Sequence, residues 1–470
     1  MILRLLRLLL CFAFIGTCAF SGAEGDDPFG DPFSESQGAE DPDFGDASSD
    51  DASSWATLPS LELNGKVAYT PTIFADYEDE EFSHPIFLSN AVEAELDVSS
   101  RFGKTGFQGG LRAKVGADAD NNPIVDLSVN DLHFNFRTDA LDLTVGRFAL
   151  EWSAMNVFKL SDFFTPSGAL SLGLESQGQP VTGMHFIAYL GPFSAEGVLV
   201  PLYYLDAGIA NMAGNLGISV YPNDIAVVFS DRRPGLSLEY PQAAIRLGLG
   251  LPFFDAYLYY FHGFSNQTLN TSRTEYDPPA TVTLEIETIY EIVDCIGISA
   301  TVDVLGLVIN GEAVITFDAP VHVSEEVDLP IGTVTNTVLG YAPLLQWSVG
   351  LEWEIISNLR LLMEYTDVHI LSKLPETNNA LLGGDNIFGI LDLRLPVGLI
   401  EPWITAGGIY DWAGHDFTAI ATLGIDFLNG LSLEVSGIYF DIFEATDSTS
   451  PMYEQLENDL IISLSGIYTF

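Results

Sequence analysis

The sequence predicts an all-β protein: a transmembrane antiparallel β-barrel of about eighteen strands with a disordered acidic tail at its N-terminus. Three observations predict it. The chain is acidic and apolar at once, with 65 acidic and 17 basic residues and a mean hydropathy of +0.25. After Ala23 no apolar run is long enough for a membrane-spanning helix. Segments of alternating apolar and polar residues nevertheless continue to the last residue, which is typical of a closed barrel.

Residues 1–23 have the pattern of a cleaved signal peptide. Arg4 and Arg7 precede an apolar stretch that is too short to span a membrane, and small residues lead to a cleavage site after Ala23. We therefore expect export from the cytoplasm. An uncleaved membrane anchor and lipidation at Cys18 are the alternatives.

Residues 24–55 are predicted to form a disordered acidic tail. Eleven acidic residues and no basic ones lie between Glu24 and Ser54, and such a segment buries too little apolar area to offset its loss of conformational entropy. A spacer is the favoured interpretation over a docking motif. The rest of the chain, 56–470, is predicted to be the barrel. Its single cysteine, Cys295, allows no intramolecular disulfide, and we expect no metal site and no cofactor.

The strands are predicted from alternation with a period of two residues. For example, Val92 and Leu96 fall on one face, and Glu93 and Asp97 on the other. The predicted strands lie at 60–76, 89–101, 106–117, 124–137, 140–151, 180–190, 193–201, 236–250, 254–264, 290–303, 306–317, 343–355, 359–369, 385–395, 399–411, 416–427, 431–442 and 459–470. Every second connection is short and the others are mostly long. Short connections are typical of the periplasmic side of an outer-membrane barrel, so we expect the N-terminal tail in the periplasm and the long loops outside the cell.

The C-terminus resembles the signal that the outer-membrane assembly machinery reads. Gly466, Tyr468 and the terminal Phe470 lie on one face of the last amphipathic strand. We expect the barrel assembly machinery, periplasmic chaperones and outer-membrane lipid as partners. Nucleic acid is excluded as a partner because a phosphate backbone demands a basic surface. The sequence does not define an oligomeric state.

Charged side chains fall at positions that the alternation directs into the barrel. An eighteen-stranded barrel leaves a water-filled lumen in which they can stay hydrated. Two interpretations remain open: a pore whose excess of carboxylates favours cations, or structural ion pairs, such as Arg360 with Glu352 or Glu354. The pore-lining candidates are Glu93, Glu95, Asp97, Arg112, Lys114, Arg147, Glu151, Arg246, Glu312, Glu352, Glu354, Arg360, Glu364, Asp392 and Arg394.

The most distinctive segment is Leu143–Pro166. It resembles a signature of alginate-export-like porins, in which a Gly-Arg strand runs into a Trp-containing turn and then a loop with Asn, Asp and Pro. Phe148 and Ser153 stand where that family usually has Gln and Gly. The matching positions are Gly146, Arg147, Trp152, Asn156, Asp162 and Pro166.

The resemblance implies an eighteen-stranded barrel and a loop that folds into the lumen after this strand. Trp152, Asn156, Asp162 and Pro166 are then the candidates for a constriction. An alginate substrate is not expected, because an alginate channel is basic inside and this chain is too acidic. The direction of Arg147 is ambiguous, since it shares a face with apolar neighbours. A β-bulge at Gly146 would turn it inward, and we favour that bulge.

Enzymatic activity is not expected. The seven histidines are scattered without metal-ligand spacing, and no Gly-x-Ser-x-Gly motif occurs. His133 shares a strand face with Asp131, and structural hydrogen bonding explains that pair best. The leading hypothesis is an outer-membrane porin-like channel for passive diffusion of small hydrophilic solutes or ions with a mild preference for cations. The alternative is a barrel with a plugged lumen whose long loops bind partners, as in an adhesin.

Overall fold

The computed structural model describes residues 60–78, 81–82, 86–118, 123–164, 180–202, 225–231, 238, 240–265, 269–277, 281–329, 332–372, 385–412, 416–442 and 459–470. The predicted signal peptide and acidic tail lie outside these residues. No helix in the described ranges is long and apolar enough to cross a membrane.

Twenty-two strands occur in the described chain. The first eleven are β1 (Ser60–Glu78), β2 (Glu81–Phe82), β3 (Ile86–Phe102), β4 (Thr105–Asp118), β5 (Pro123–Arg137), β6 (Leu141–Phe148), β7 (Val181–Leu190), β8 (Phe193–Leu202), β9 (Ile225–Asp231), β10 (Gln242–Leu251) and β11 (Phe254–Phe264). The others are β12 (Leu269–Asp277), β13 (Thr281–Ile289), β14 (Ile292–Val304), β15 (Leu307–Leu329), β16 (Gly332–Ile356), β17 (Leu359–Ile370), β18 (Asn386–Arg394), β19 (Ile400–Asp411), β20 (Asp416–Phe427), β21 (Leu431–Ile442) and β22 (Asp459–Thr469).

Eighteen of these strands form one closed antiparallel barrel, as the sequence predicts. Each wall strand pairs with the next one along the wall, and β22 pairs with β1 to close the ring. Closure leaves the wall without an open edge, so every wall strand has two hydrogen-bonded neighbours. The other four strands, β2, β9, β12 and β13, lie outside the wall.

The segments predicted as long loops contain strands that the alternation did not indicate. β15 and β16 are 23 and 25 residues long, about twice the 9–11 residues that a membrane-spanning strand needs. They continue through 318–342, which the sequence predicts to be a loop. A register shift between Thr316 and Ala319 separates this extension from the wall. The β12–β13 hairpin joins the extension, and β9 pairs parallel with β13.

The two faces of the wall differ as the alternation predicts. Large apolar side chains point outward and are exposed, such as Leu61, Leu63 and Val67 on β1. On β5 the outward set changes from odd to even positions along the strand, because a bulge opposite Gly110 inserts one residue. The outward residues on β5 are Val125, Leu127, Leu132, Phe134 and Phe136.

The terminal residue takes part in closing the barrel. The Phe470 N–H donates to the Gly65 carbonyl, and the Gly65 N–H donates to the Phe470 carbonyl, both at 2.9 Å. The phenyl ring lies over Gly65, where any side chain would overlap it. Tyr468 stacks on the ring, with 6.1 Å between the ring centroids.

Deleting Phe470 is expected to lower the folded fraction. It removes two backbone hydrogen bonds that contribute about 0.5–1.5 kcal/mol each, together with the ring contact. The measurement is the share of heat-modifiable species on a semi-native gel after refolding into lipid. Phe470→Tyr, which keeps both bonds and the ring, is the matched control. An unchanged folded fraction after deletion would show that the seam closes without this residue.

Candidate functional site: the lumen and its docked loop

The segment that follows β6 folds into the barrel. We call residues 149–164 the luminal loop. Its side chains pack against inward residues of the wall, and the ring of Phe163 stacks on Phe261 with 4.7 Å between centroids. Trp152 and Phe164 are buried in the same cluster. The resemblance implies a loop inside the lumen. Three of the constriction candidates, Trp152, Asn156 and Asp162, lie in this loop.

One buried carboxylate fixes the start of the loop to the wall. Glu196 on β8 accepts hydrogen bonds from Trp152 Nε1 at 2.7 Å and from His185 Nε2 at 2.6 Å. Arg246 on β10 forms an ion pair with it at 2.6 Å. The Arg246 guanidinium also lies over the rings of Trp152 and Tyr257, which adds cation–π contacts. The described partners of the Glu196 carboxylate therefore belong to the luminal loop or to the adjoining wall.

A second carboxylate binds the middle of the loop. Glu312 on β15 accepts from the Ser153 hydroxyl at 2.8 Å and the Ala154 N–H at 3.0 Å. It also accepts from the hydroxyl and the N–H of Ser161 at 3.1 and 3.3 Å. Within the loop, Asp162 accepts from the N–H groups of Trp152 and Ser153 at 2.5 and 2.8 Å. These bonds fold the two arms of the loop against each other.

A third carboxylate binds three consecutive amides. Glu364 on β17 accepts from the N–H groups of Asn156, Val157 and Phe158 at 2.6, 3.0 and 2.9 Å. Successive N–H groups turned to one point form a concave anion site, here filled by a side chain of the same protein. Glu312 and Glu364 are only 4% and 2% exposed. The loop amides thus gain partners, and the buried charges are compensated.

Burial also acts on Asp162, which lies in the loop. Loss of hydration raises the pKa of Asp162 to about 6, although the Ser153 and Trp152 amides and Lys159 act to lower it. The docked loop therefore favours the protonated acid more than open chain does.

The opposite part of the lumen carries charges that remain in contact with solvent. On β3 and β4, Arg112 forms ion pairs with Glu93 at 2.6 Å and with Glu95 at 3.6 Å, and 41% of its side chain is exposed. We call the middle part of this inward face the charged wall: 62–66 of β1, 93–97 of β3, 112–114 of β4 and 126–131 of β5. It holds six acids and three bases: Glu62, Glu93, Glu95, Asp97, Asp126 and Asp131, with Lys66, Arg112 and Lys114. Arg101 and Arg137, near the ends of β3 and β5, lie outside it.

A further group of charges on β16 to β19 forms ion pairs. Arg360 binds Glu352 at 2.7 Å, one of the two pairings that the sequence suggests. Arg394 lies 3.4 Å from Asp392 and 3.5 Å from Glu401. Glu354, which pairs with Arg360 across the β16–β17 ladder, is exposed.

Several pore-lining candidates do not line open space. Arg246, Glu312 and Glu364 point inward, as predicted, but the luminal loop covers them. Glu151 is not on a strand, because β6 ends at Phe148. It lies in the loop, with Lys159 Nζ at 3.7 Å.

The expected bulge at Gly146 is wrong. Gly146 pairs in unbroken register with His133 on β5 and Gly183 on β7. Its φ of +135°, and the 2.2 Å between a built Cβ and the Leu132 carbonyl oxygen, require glycine there. Arg147 consequently pairs with the outward Leu132, and its Nε donates to the Val129 carbonyl at 2.6 Å. The register thus keeps Arg147 out of the lumen.

The remaining predicted positions are placed as follows. Asn156 contributes its backbone N–H, and Asp162 its carboxylate, to loop docking. Pro166 lies outside the described residues. Gly466 and Tyr468 belong to the β21–β22 ladder. His133 contacts the Arg147 carbonyl at 3.3 Å and the ring of Phe148. A structural hydrogen bond between His133 and Asp131 stays a prediction.

Sequence reasoning did not single out Glu196 or His185. His185 lies at an inward position of β7 and Glu196 at an inward position of β8, so alternation alone could have identified them as luminal residues. Trp152, which donates to Glu196, is 44 residues away from it along the chain, and no sequence pattern indicates that the two residues are in contact.

The comparisons with known proteins add only a general likeness of fold. No protein-family model matches the chain, and no curated protein matches it. Solved outer-membrane porins do overlay on it.

The overlay is broad and loose. OmpF of Salmonella typhi is 9% identical, covers 87% of this chain and 97% of its own, and gives a TM-score of 0.43. OccK5 (OpdH) of Pseudomonas aeruginosa is 10% identical, with 87% and 98% covered and a TM-score of 0.46. The outer-membrane channel DcaP of Acinetobacter baumannii is 12% identical, with 88% and 97% covered and a TM-score of 0.41. None of them is similar enough to assign a solute, and the alginate-export-like resemblance gains no support.

Glu364→Ala is expected to release the luminal loop. It leaves three partly buried N–H groups without an acceptor, at up to about 1–3 kcal/mol each. Faster proteolysis within 149–164 and a larger, noisier single-channel conductance are the expected readouts. Glu354→Ala removes an exposed luminal carboxylate that makes no contact with the described loop residues 149–164, and it is the matched control. Equal behaviour of the two variants would contradict this role of Glu364.

Docking of the loop is expected to weaken as the pH rises through about 6. Because the pKa of Asp162 is raised in the folded protein, its contribution to docking is largest below the ordinary aspartate pKa of about 4 and falls until the pH exceeds 6. Asp162→Asn keeps an acceptor oxygen without a charge, so it is expected to flatten this change. The rate of proteolysis within the loop between pH 4.5 and 7.5 measures this pH dependence. An identical pH profile in the wild type and in Asp162→Asn would refute the role of Asp162.

Proposed function

We propose that this protein is an integral outer-membrane channel through which small hydrophilic solutes and ions diffuse passively, with a mild preference for cations. The observation that carries the proposal is the charged wall. Apart from Asp131, which accepts from the Ala149 N–H at the start of the luminal loop, its side chains face the lumen, reach solvent, and lie on the part of the barrel that the luminal loop leaves uncovered. The apolar outer face supports a membrane location for the barrel.

The sign of the selectivity follows from the charged wall. Six acids against three bases give a local excess of three negative charges. Rings and rows of carboxylates raise the local concentration of cations, and salt screens the effect. The ion pairs of Arg112 cancel part of the excess, which is why the preference is mild.

The luminal loop sets the size limit in this proposal. It is fixed by three carboxylates of the wall, Glu196, Glu312 and Glu364, so it narrows the passage without needing energy input. The placement of the N-terminal tail in the periplasm and of the long loops outside the cell remains part of the proposal. A plugged barrel whose outer loops bind partners is the alternative, and the same experiment separates the two.

The test is the reversal potential of single channels across a KCl gradient, using refolded protein. The wild type is expected to favour K⁺ over Cl⁻. The double variant Glu95→Gln, Asp97→Asn is expected to lower that permeability ratio about twofold, the effect of a screened charge contributing less than 1 kcal/mol in water. Arg112→Gln is the opposite-sign control and is expected to raise the ratio.

Two results would count against the proposal. A verified folded barrel without conductance would favour the plugged scaffold. A conducting channel whose reversal potential is unchanged by all three substitutions would show that the charged wall does not set the ion selectivity.

A further inference from the structure

The inward face of β19 to β22 and β1 carries two parallel rows of uncharged side chains. The hydroxyl row consists of Thr405, Thr422, Ser436, Ser463 and Thr72, which are direct cross-strand partners in successive ladders. Their outward neighbours Ile425, Val435 and Leu464 are exposed on the lipid side, so alternation directs the hydroxyl row into the lumen.

The hydroxyls of this row contact one another. Thr422 Oγ1 donates to Ser436 Oγ at 3.1 Å, and the Thr72 and Ser463 hydroxyls are 3.2 Å apart. At the β19 end, Thr405 Oγ1 donates to Asp392 at 2.6 Å. A hydroxyl has one donor and two acceptor positions, so these contacts leave capacity for a solute. Thr405 and Thr422 are buried, so Ser436, Ser463 and Thr72 are the members of the row that a solute reaches.

The apolar row runs beside the hydroxyl row, two residues along each strand. It consists of Ile390, Gly407, Ile420, Ile438 and Ile461, again direct cross-strand partners. Ile390 belongs to a buried cluster with Leu362 and Phe388, against which Val157 and Phe158 of the luminal loop pack, so the row begins where the loop is docked.

Spacing makes the two rows one surface. Residues two apart on a strand are separated by about 6.6 Å, and neighbouring strands by about 4.8 Å. A solute about 6–7 Å wide therefore spans both rows, and a shift of one strand returns it to an equivalent pair of contacts. Repeated weak sites of this kind allow passage without trapping.

We propose that this surface selects uncharged solutes that carry hydroxyl groups on one side and an apolar group on the other. The inference rests on the proposed channel function and names its preferred solute class. Neither row contains an ionisable residue, so the contacts that the two rows offer are neutral. Asp392 beside Thr405 and Glu434 two residues from Ser436 are charges at the border of the surface.

Ile390 and Ile420 are buried, so Ile438 and Ile461 are the isoleucines of the row that reach the lumen. Their contact with water is unfavourable, and an apolar group of a solute would relieve it.

The experiment compares two neutral blockers of the K⁺ current, phenyl β-glucoside and glucose, on the full-length refolded channel. Phenyl β-glucoside is expected to block at concentrations roughly tenfold lower, since its ring buries apolar surface on the isoleucines. Ser436→Ala and Ser463→Ala are expected to weaken block by both sugars about two- to tenfold, the range of a neutral hydrogen bond. Ile438→Ser is expected to remove the advantage of the phenyl group and spare glucose.

Ser128→Ala, a luminal hydroxyl deletion opposite Arg112 on the charged wall, is the matched control and is expected to change neither block. Equal block by the two sugars would overturn the inference, as would an effect of Ser128→Ala equal to that of Ser436→Ala. Both outcomes leave the K⁺ current, and thus the channel function, intact. A wild-type barrel without K⁺ current overturns the channel function and the inference together. Retained K⁺ current in each variant shows that it is folded.

Discussion

The luminal loop enters the barrel without a strand beside it, so its backbone N–H groups have no ladder to join. Buried N–H groups need acceptors, and the barrel provides carboxylates: Glu312 and Glu364 from the wall and Asp162 from the loop itself. A carboxylate tolerates this burial only when several donors surround it. The luminal loop and these acids therefore stabilise each other. The side of the lumen on which the loop is docked determines which part of the wall stays open to solvent.

This arrangement separates two groups of luminal acids that have different roles. Glu196, Glu312 and Glu364 lie under the loop, where protein donors satisfy them and ions in the lumen do not reach them. The acids of the charged wall other than Asp131 keep their contact with water, and in the proposed channel they set the electric field along the passage. A third sector, β19 to β22 with β1, combines hydroxyls with isoleucines. The lumen thus has a docked side, a charged side and a neutral amphipathic side, each built from inward positions of the same alternating strands.

The barrel could be predicted from sequence because its pattern is local. Alternation with a period of two fixes the direction of each side chain, and the strand count follows from repeating it. The errors arise where the chain departs from that period. The β5 bulge lies in a polar stretch opposite Gly110, where alternation does not show the extra residue. The strand β6 ends at Phe148 instead of continuing to Glu151. The hairpin extension of β15 and β16 has only a weak alternation of apolar and polar residues. The loop contacts could not be predicted, since Trp152 and Glu196, or Val157 and Glu364, are joined only by the closed barrel.

The most direct test of the account is thiol accessibility in lipid vesicles, because its central claim is that water fills the lumen beside a docked loop. Glu95→Cys on the charged wall and Val92→Cys on the lipid face would be compared in a Cys295→Ser background, using a water-soluble, membrane-impermeant maleimide. The account predicts rapid modification at position 95 and almost none at position 92. An unreactive thiol at position 95 in a verified folded barrel would contradict it, because the lumen would then be closed to water.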